Sequence, residues 1–63
     1  MNRTLFLEAI DNDVSGLAKA LDLSVRDVFD LINDEGFAGR DWLVIKDKYK
    51  LTDSQIFEIL FYA

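Results

Sequence analysis

Residues Val14 to Asp34, VSGLAKALDLSVRDVFDLIND, constrain this chain more than any other stretch, because their apolar spacing reads as two short helices joined by a tight turn. Leu17, Ala18 and Leu21 recur at helical spacing, Asp22 stands where the first helix ends, and Ser24 restarts a pattern that Val28, Leu31 and Ile32 continue. Ala18 is small enough for the second helix to cross closely over the first. Leu17, Leu21, Leu23, Val28 and Leu31 are expected to form the shared core that fixes the crossing. What the outer face of the second helix touches is then the question for function.

The flanking sequence supplies three more helices. Leu5, Phe6, Ala9 and Ile10 predict a first helix from about Thr4 to Ile10, closed by Asn12 and Asp13, after which Ser15 and Gly16 open the second. In Ser24-x-x-Asp27 the serine hydroxyl caps a third helix starting at Val25, while Asp27 meets the positive helix end. Asn33, Asp34, Glu35 and Gly36 break the pattern, and Phe37 is expected to tuck the loop back onto the core. A fourth helix follows Gly39, with Trp42, Leu43, Ile45 and Tyr49 as its buried stripe and Lys46, Asp47, Lys48 and Lys50 on its wet side. Thr52-x-x-Gln55 is a capping box for a fifth helix, Asp53 to about Tyr62. Its Ile56, Phe57, Ile59, Leu60, Phe61 and Tyr62 cover too much of the circumference to face one small interior. Phe57, Leu60, Phe61 and Tyr62 are therefore candidates for an interface between two copies, with plain core as the other reading.

The expectation is one all-α domain, residues 1–63, a compact bundle of about five short helices. A chain this short buries only about 60% of its unfolded surface, so the core must be dense in apolar groups. Half of the residues are hydrophobic and eight are aromatic, which meets that need. No cysteine or histidine is present, so thiolate metal sites and the commonest general base are missing. Asp27 with Asp30 as paired carboxylates would lack a nucleophile and a pocket, and we expect no catalytic residues, no metal and no cofactor. Neither a leader nor an apolar run of the roughly 18 residues that span a bilayer is visible, so the expectation is a soluble, cytoplasmic protein with no membrane partner. Twelve acids against seven bases give a net charge of −5, which repels phosphate backbones unless the bases gather on one face.

A Leu-Ala pair, a leucine four residues on, then a serine and a valine in the next helix are met by Leu17, Ala18, Leu21, Ser24 and Val28. With these residues and five helices in order, the chain resembles the small Cro and repressor-like helix-turn-helix proteins of bacteriophages, of the lambda repressor-like fold. The closing LTDSQIFEILFYA also looks like the end of short phage regulators of Gram-positive hosts. The likeness covers residues 14 to 62 and is more specific for fold than for function.

The resemblance implies that the second helix of the pair enters the major groove and reads bases near its N-terminus. Ser24, Val25, Arg26, Phe29 and Asp30 fall on the reading positions, with Asn33 as a phosphate donor. Only Ser24, Arg26 and Asn33 suit that work, although Arg26 has the chemistry for a bidentate contact to guanine. Val25, Asp27, Phe29 and Asp30 stand where DNA readers place polar or basic residues, and Asp22 stands where the family has glycine in the turn.

Two functions follow. In the first, Val25 and Phe29 are apolar anchors and Asp27, Asp30 and Asp34 an acidic rim that binds a protein partner, a phage or host DNA-binding protein, as an antirepressor-like modulator or inhibitor. In the second, the protein is an operator-binding Cro-like repressor acting as a homodimer. Ser24, Arg26 and Asn33 then read or position DNA, and Lys19 and Arg40 neutralise phosphates. The plainer alternatives are that Val25 and Phe29 turn inward, that the acids are a solvated face, and that Arg26 pairs with Asp30 one turn on.

Overall fold

The computed structural model describes residues 1–62, in which the chain forms α1 (Arg3–Ala9), α2 (Val14–Leu21), α3 (Val25–Asp30), α4 (Gly39–Tyr49) and α5 (Asp53–Phe61). No strand occurs among the described residues. Four of the helices begin on a side-chain cap. Asn2 accepts from the Leu5 N–H, Asp13 from Gly16, Ser24 from Asp27 and Thr52 from Gln55, each taking up one of the four amide donors that a helix start leaves without a partner. The capping box at α5 is complete, since the Gln55 side chain also accepts from the Thr52 N–H at 2.8 Å. Thr52→Ala should cost about 1 kcal/mol, seen as a fall in Tm of about 4–8 °C with no loss of cooperativity.

The α2–α3 and α4–α5 connections share one geometry. Each is a three-residue turn of a left-handed residue, a leucine and a hydroxyl cap: Asp22-Leu23-Ser24 and Lys50-Leu51-Thr52. Asp22 and Lys50 have φ of 56°, and the amide after each reaches back to the carbonyl of Ala18 or Lys46. This is the helix-ending bond pattern that glycine usually serves, here carried at modest strain by an aspartate and a lysine.

Every helix contributes to one core. Phe6, Leu17, Val28, Ile45 and Ile59 come from α1 to α5 in turn, joined by Ile10, Val14, Ala18, Ile32 and Leu51. Phe6 also meets Phe37 and Trp42 at ring-centroid distances of 5.3 and 5.7 Å, so the loop after α3 is drawn in as its Phe37 predicts. The Asn2 N–H donates to the Ile59 carbonyl at 2.7 Å and fastens the start of the chain to α5. Ala18 is buried in that core, and α2 packs against α3.

Several local expectations are corrected. α1 starts at Arg3 and ends with Ile10 as its cap, while Asp11 and Asn12 both take left-handed backbone. Asp13 then begins α2 instead of closing α1, and Ser15 and Gly16 lie inside the first turn of α2. Asn33, Asp34 and Glu35 do not break the second helix of the pair. α3 runs on without interruption as a wider π-helical turn, Leu31–Glu35, closed by a 2.7 Å bond from the Gly36 N–H to the Leu31 carbonyl. Ile32 is held in the core on that turn, which gives the backbone reason to stay helical past the polar run. On α4 the inward line is Trp42, Ile45 and Tyr49, and Leu43, one residue round from it, is 70% exposed.

Candidate functional site

Five carboxylates and one guanidinium lie between Asp22 and Glu35, so these fourteen residues carry −4 of the chain's net charge of −5. The outer surface of α3 and its π-helical extension is where that charge is displayed, because Asp27, Asp30, Asp34 and Glu35 are all exposed. Val28 and Ile32 fix the rotation of the helix by pointing into the core. From that anchor the remaining residues fall into three strips.

One strip is apolar. Val25 and Phe29, one turn apart, are 42% and 37% exposed, so they do not fill core and do present an apolar face. A second strip, furthest from the core, holds Arg26 and Asp30 of α3, both exposed, and Asn33 is exposed on the π-helical turn that follows. Arg26 makes no ion pair with Asp30. Among the described residues the one salt bridge is that of Lys46 with Asp53, which joins α4 to the first turn of α5. The third strip starts at Asp27, roughly 160° round the helix from Phe29 at 100° per residue, and is continued on the π-helical turn by Leu31 and Asp34, which line the same groove. Together with Leu23, Asp30 and Glu35 it lines an open groove of about 260 Å³.

That arrangement changes the composition of the acidic site. Val25 and Phe29 do not sit among the carboxylates; the apolar floor between Asp27, Asp30, Asp34 and Glu35 is made by Leu23 and Leu31. Both leucines were expected in the core shared by α2 and α3. Instead Leu23 is 36% exposed and Leu31 half-buried, and only Leu17 and Val28 of that set are fully covered, with Leu21 half-buried. Leu51, at the same place in the other turn, is buried, so the difference lies in the tertiary neighbours and not in the local backbone. The signal was present in the spacing 27, 30, 31, 34, which is one helix face with a leucine among three acids.

The basic residues assigned to DNA are exposed but dispersed over the elements. Lys19 is on α2, Arg26 on α3 and Arg40 in the first turn of α4, with Asn33 on the π-helical turn. The Ser24 hydroxyl is already engaged, accepting from the Asp27 N–H at 3.1 Å. On α5, Ile59 is buried and Ile56 half-buried, while Phe57, Leu60, Phe61 and Tyr62 are exposed, with Phe57 and Phe61 rings 4.8 Å apart. The excess apolar surface expected of that helix is therefore present, and Leu43 and Val44 of α4 add further exposed apolar area. Among the described residues, no group of three or more acidic side chains is placed to hold a metal ion, and no helix is long and apolar enough to cross a membrane.

Comparison with known proteins adds no relative: no family model, no curated protein and no solved structure matches the chain.

Proposed function

We propose that the protein is a small regulator of phage or prophage type with a helix-turn-helix fold. It acts in the cytosol by binding a protein and not by catalysis, and α3 is the binding element. The partner in this reading is a phage or host DNA-binding protein, and the effect is that of an antirepressor-like modulator or inhibitor. The observation that carries it is the −4 charge concentrated between Asp22 and Glu35, on the helix that an operator reader would lay against phosphates. Each of Asp27, Asp30 and Asp34 would be repelled there, whereas a basic protein surface would be drawn to the same face. Leu23 and Leu31 among the carboxylates, and the exposed Val25 and Phe29 on a separate strip of the same helix, give the partner apolar contact area.

A second reading, an operator-binding Cro-like homodimer, is favoured by two observations. Arg26 is exposed and free of an ion pair on the outermost strip of α3, with Asn33 exposed on the π-helical turn that follows, and α5 offers Phe57, Leu60, Phe61 and Tyr62 for pairing two copies.

Fluorescence anisotropy of labelled genomic DNA fragments across a salt series separates the two. The expected result is no saturable binding at near-physiological salt, and no change in Arg26→Ala. Saturable binding that falls steeply with salt and collapses in Arg26→Ala would establish the repressor reading instead.

A further inference from the structure

We infer that the groove lined by Leu23, Asp27, Asp30, Leu31, Asp34 and Glu35 receives an arginine side chain of the partner, laid lengthwise on the two leucines with its guanidinium among the carboxylates. The inference rests on the protein-contact reading above and names what the partner must bring. At about 260 Å³ the groove is smaller than the 300–1,000 Å³ typical of pockets for cofactors and drug-sized ligands, and it is open along one side. A single long side chain attached to another backbone matches both properties. The lining is apolar at its floor and anionic at its rim, which suits a residue with an aliphatic stem and a charged end.

The distribution of charge selects arginine over lysine. The acids follow one another along the helix face at positions 27, 30, 34 and 35, and they do not converge on a point that could hold a metal ion. A compact ammonium satisfies one carboxylate well and leaves the others distant. A planar guanidinium has five donors directed outwards in a fork, can take two carboxylates at once, and gives up its hydration more easily. No base of this chain competes for the place, because the one salt bridge among the described residues is at Lys46 and Asp53.

The test is binding of a fluorescein-labelled, alanine-based helical peptide of about 15 residues carrying leucine and arginine one turn apart, a length at which an isolated helix begins to hold. Lysine and citrulline versions of the peptide accompany it. Two doubly substituted proteins are compared: Asp27→Asn with Asp34→Asn in the groove, and Asp11→Asn with Asp47→Asn, the same change of net charge at exposed positions that do not line it. Binding of the arginine peptide should weaken about ten-fold in the groove variant and less than about two-fold in the control. The lysine peptide should bind more weakly than the arginine peptide, and the citrulline peptide weakest. Equal weakening in both variants would overturn the inference, since it would show only the field of the whole protein. So would lysine binding as tightly as arginine, or no arginine-peptide binding even at low salt. Loss of binding in Phe29→Ser with none in the groove variant would place the contact on the Val25–Phe29 strip, removing the inference while the protein-contact reading stands. Salt-steep DNA binding would remove that reading itself. Sedimentation of the protein alone that slows only in the groove variant would identify the occupant as a second copy of this chain, and would overturn the assignment to a different partner.

Discussion

Replacement of Phe6 by alanine is expected to leave the chain without a cooperative unfolding transition at 25 °C. Phe6 is fully buried and touches elements far apart in sequence, because its ring packs against Phe37 in the loop after α3 and edge-on against Trp42 of α4 at 89°. Phe37 and Trp42 meet each other at 83° as well, so the three rings form one closed cluster. Removing a buried phenylalanine costs about 3–5 kcal/mol through lost transfer energy and the cavity left behind. A domain of 63 residues has only about 3–9 kcal/mol in total at the usual stability per residue. The loss therefore takes up most of what exists. Far-UV circular dichroism against urea should show a shallow slope in place of a sigmoid, and a transition retained with a midpoint close to that of the parent would show that the aromatic cluster is not what binds α1 to α4. Phe6→Leu keeps most of the volume and should retain the transition at a lower midpoint, which separates loss of packing from loss of the fold.

The same cluster shows what a sequence of this size discloses. Phe37 could be read as a core residue because it is the one large apolar group in a polar loop, and an apolar residue beside a turn has few other places to go. The caps at Ser24 and at Thr52 with Gln55 were equally legible, because they depend on bonds within a few residues of each other and their chemistry is local, whereas Asn2 was not read as a cap and Asp13 was placed at the end of α1. The concentration of acid between Asp22 and Glu35 was also visible, since charge can be counted along a chain.

What could not be read is which of several equivalent leucines another element covers. Leu23 and Leu51 occupy the same position in two turns of the same geometry, yet one lines a surface groove and the other lies in the core. Leu43 fits helical spacing nearly as well as its neighbours, but only the rotation of α4 set by Trp42, Ile45 and Tyr49 decides that it faces out. The continuation of α3 through Asn33–Glu35 belongs with these. Propensity argues for a break, and burial of Ile32 with the bond from Gly36 to Leu31 overrides it. The consequence for the site is concrete: the acidic residues lie on an exposed face, the apolar residues lining the groove with them are Leu23 and Leu31, and Val25 and Phe29 form a separate exposed strip.

Replacing Asp13 by alanine should destabilise the protein by about 2–3 kcal/mol, because one carboxylate supports both the start of α2 and the attachment of α4. Its Oδ1 accepts from the Gly16 N–H at 3.2 Å, and its Oδ2 lies 3.0 Å from the Tyr49 hydroxyl, which donates to it. Gly16 is fitted to this arrangement, since a Cβ there would stand 2.2 Å from Oδ2. The Tyr49 phenol is pushed up to about 12 from 10, first by burial, then by its hydrogen bond to Asp13 and the charge of that carboxylate. A raised value in the folded state means that the neutral phenol stabilises the fold fully below pH 10, the value of the unfolded chain, and that the contribution is lost as pH rises through about 12. Tyr49→Phe removes the bond and the titration together. The gap in unfolding free energy between the parent protein and Tyr49→Phe, measured by urea titration, should therefore be constant from about pH 7 to 9 and close as the pH approaches 12. A gap that stayed constant through that rise would mean that the phenol titrates alike in the folded and unfolded chains, and that the contact of α4 with Asp13 contributes packing alone.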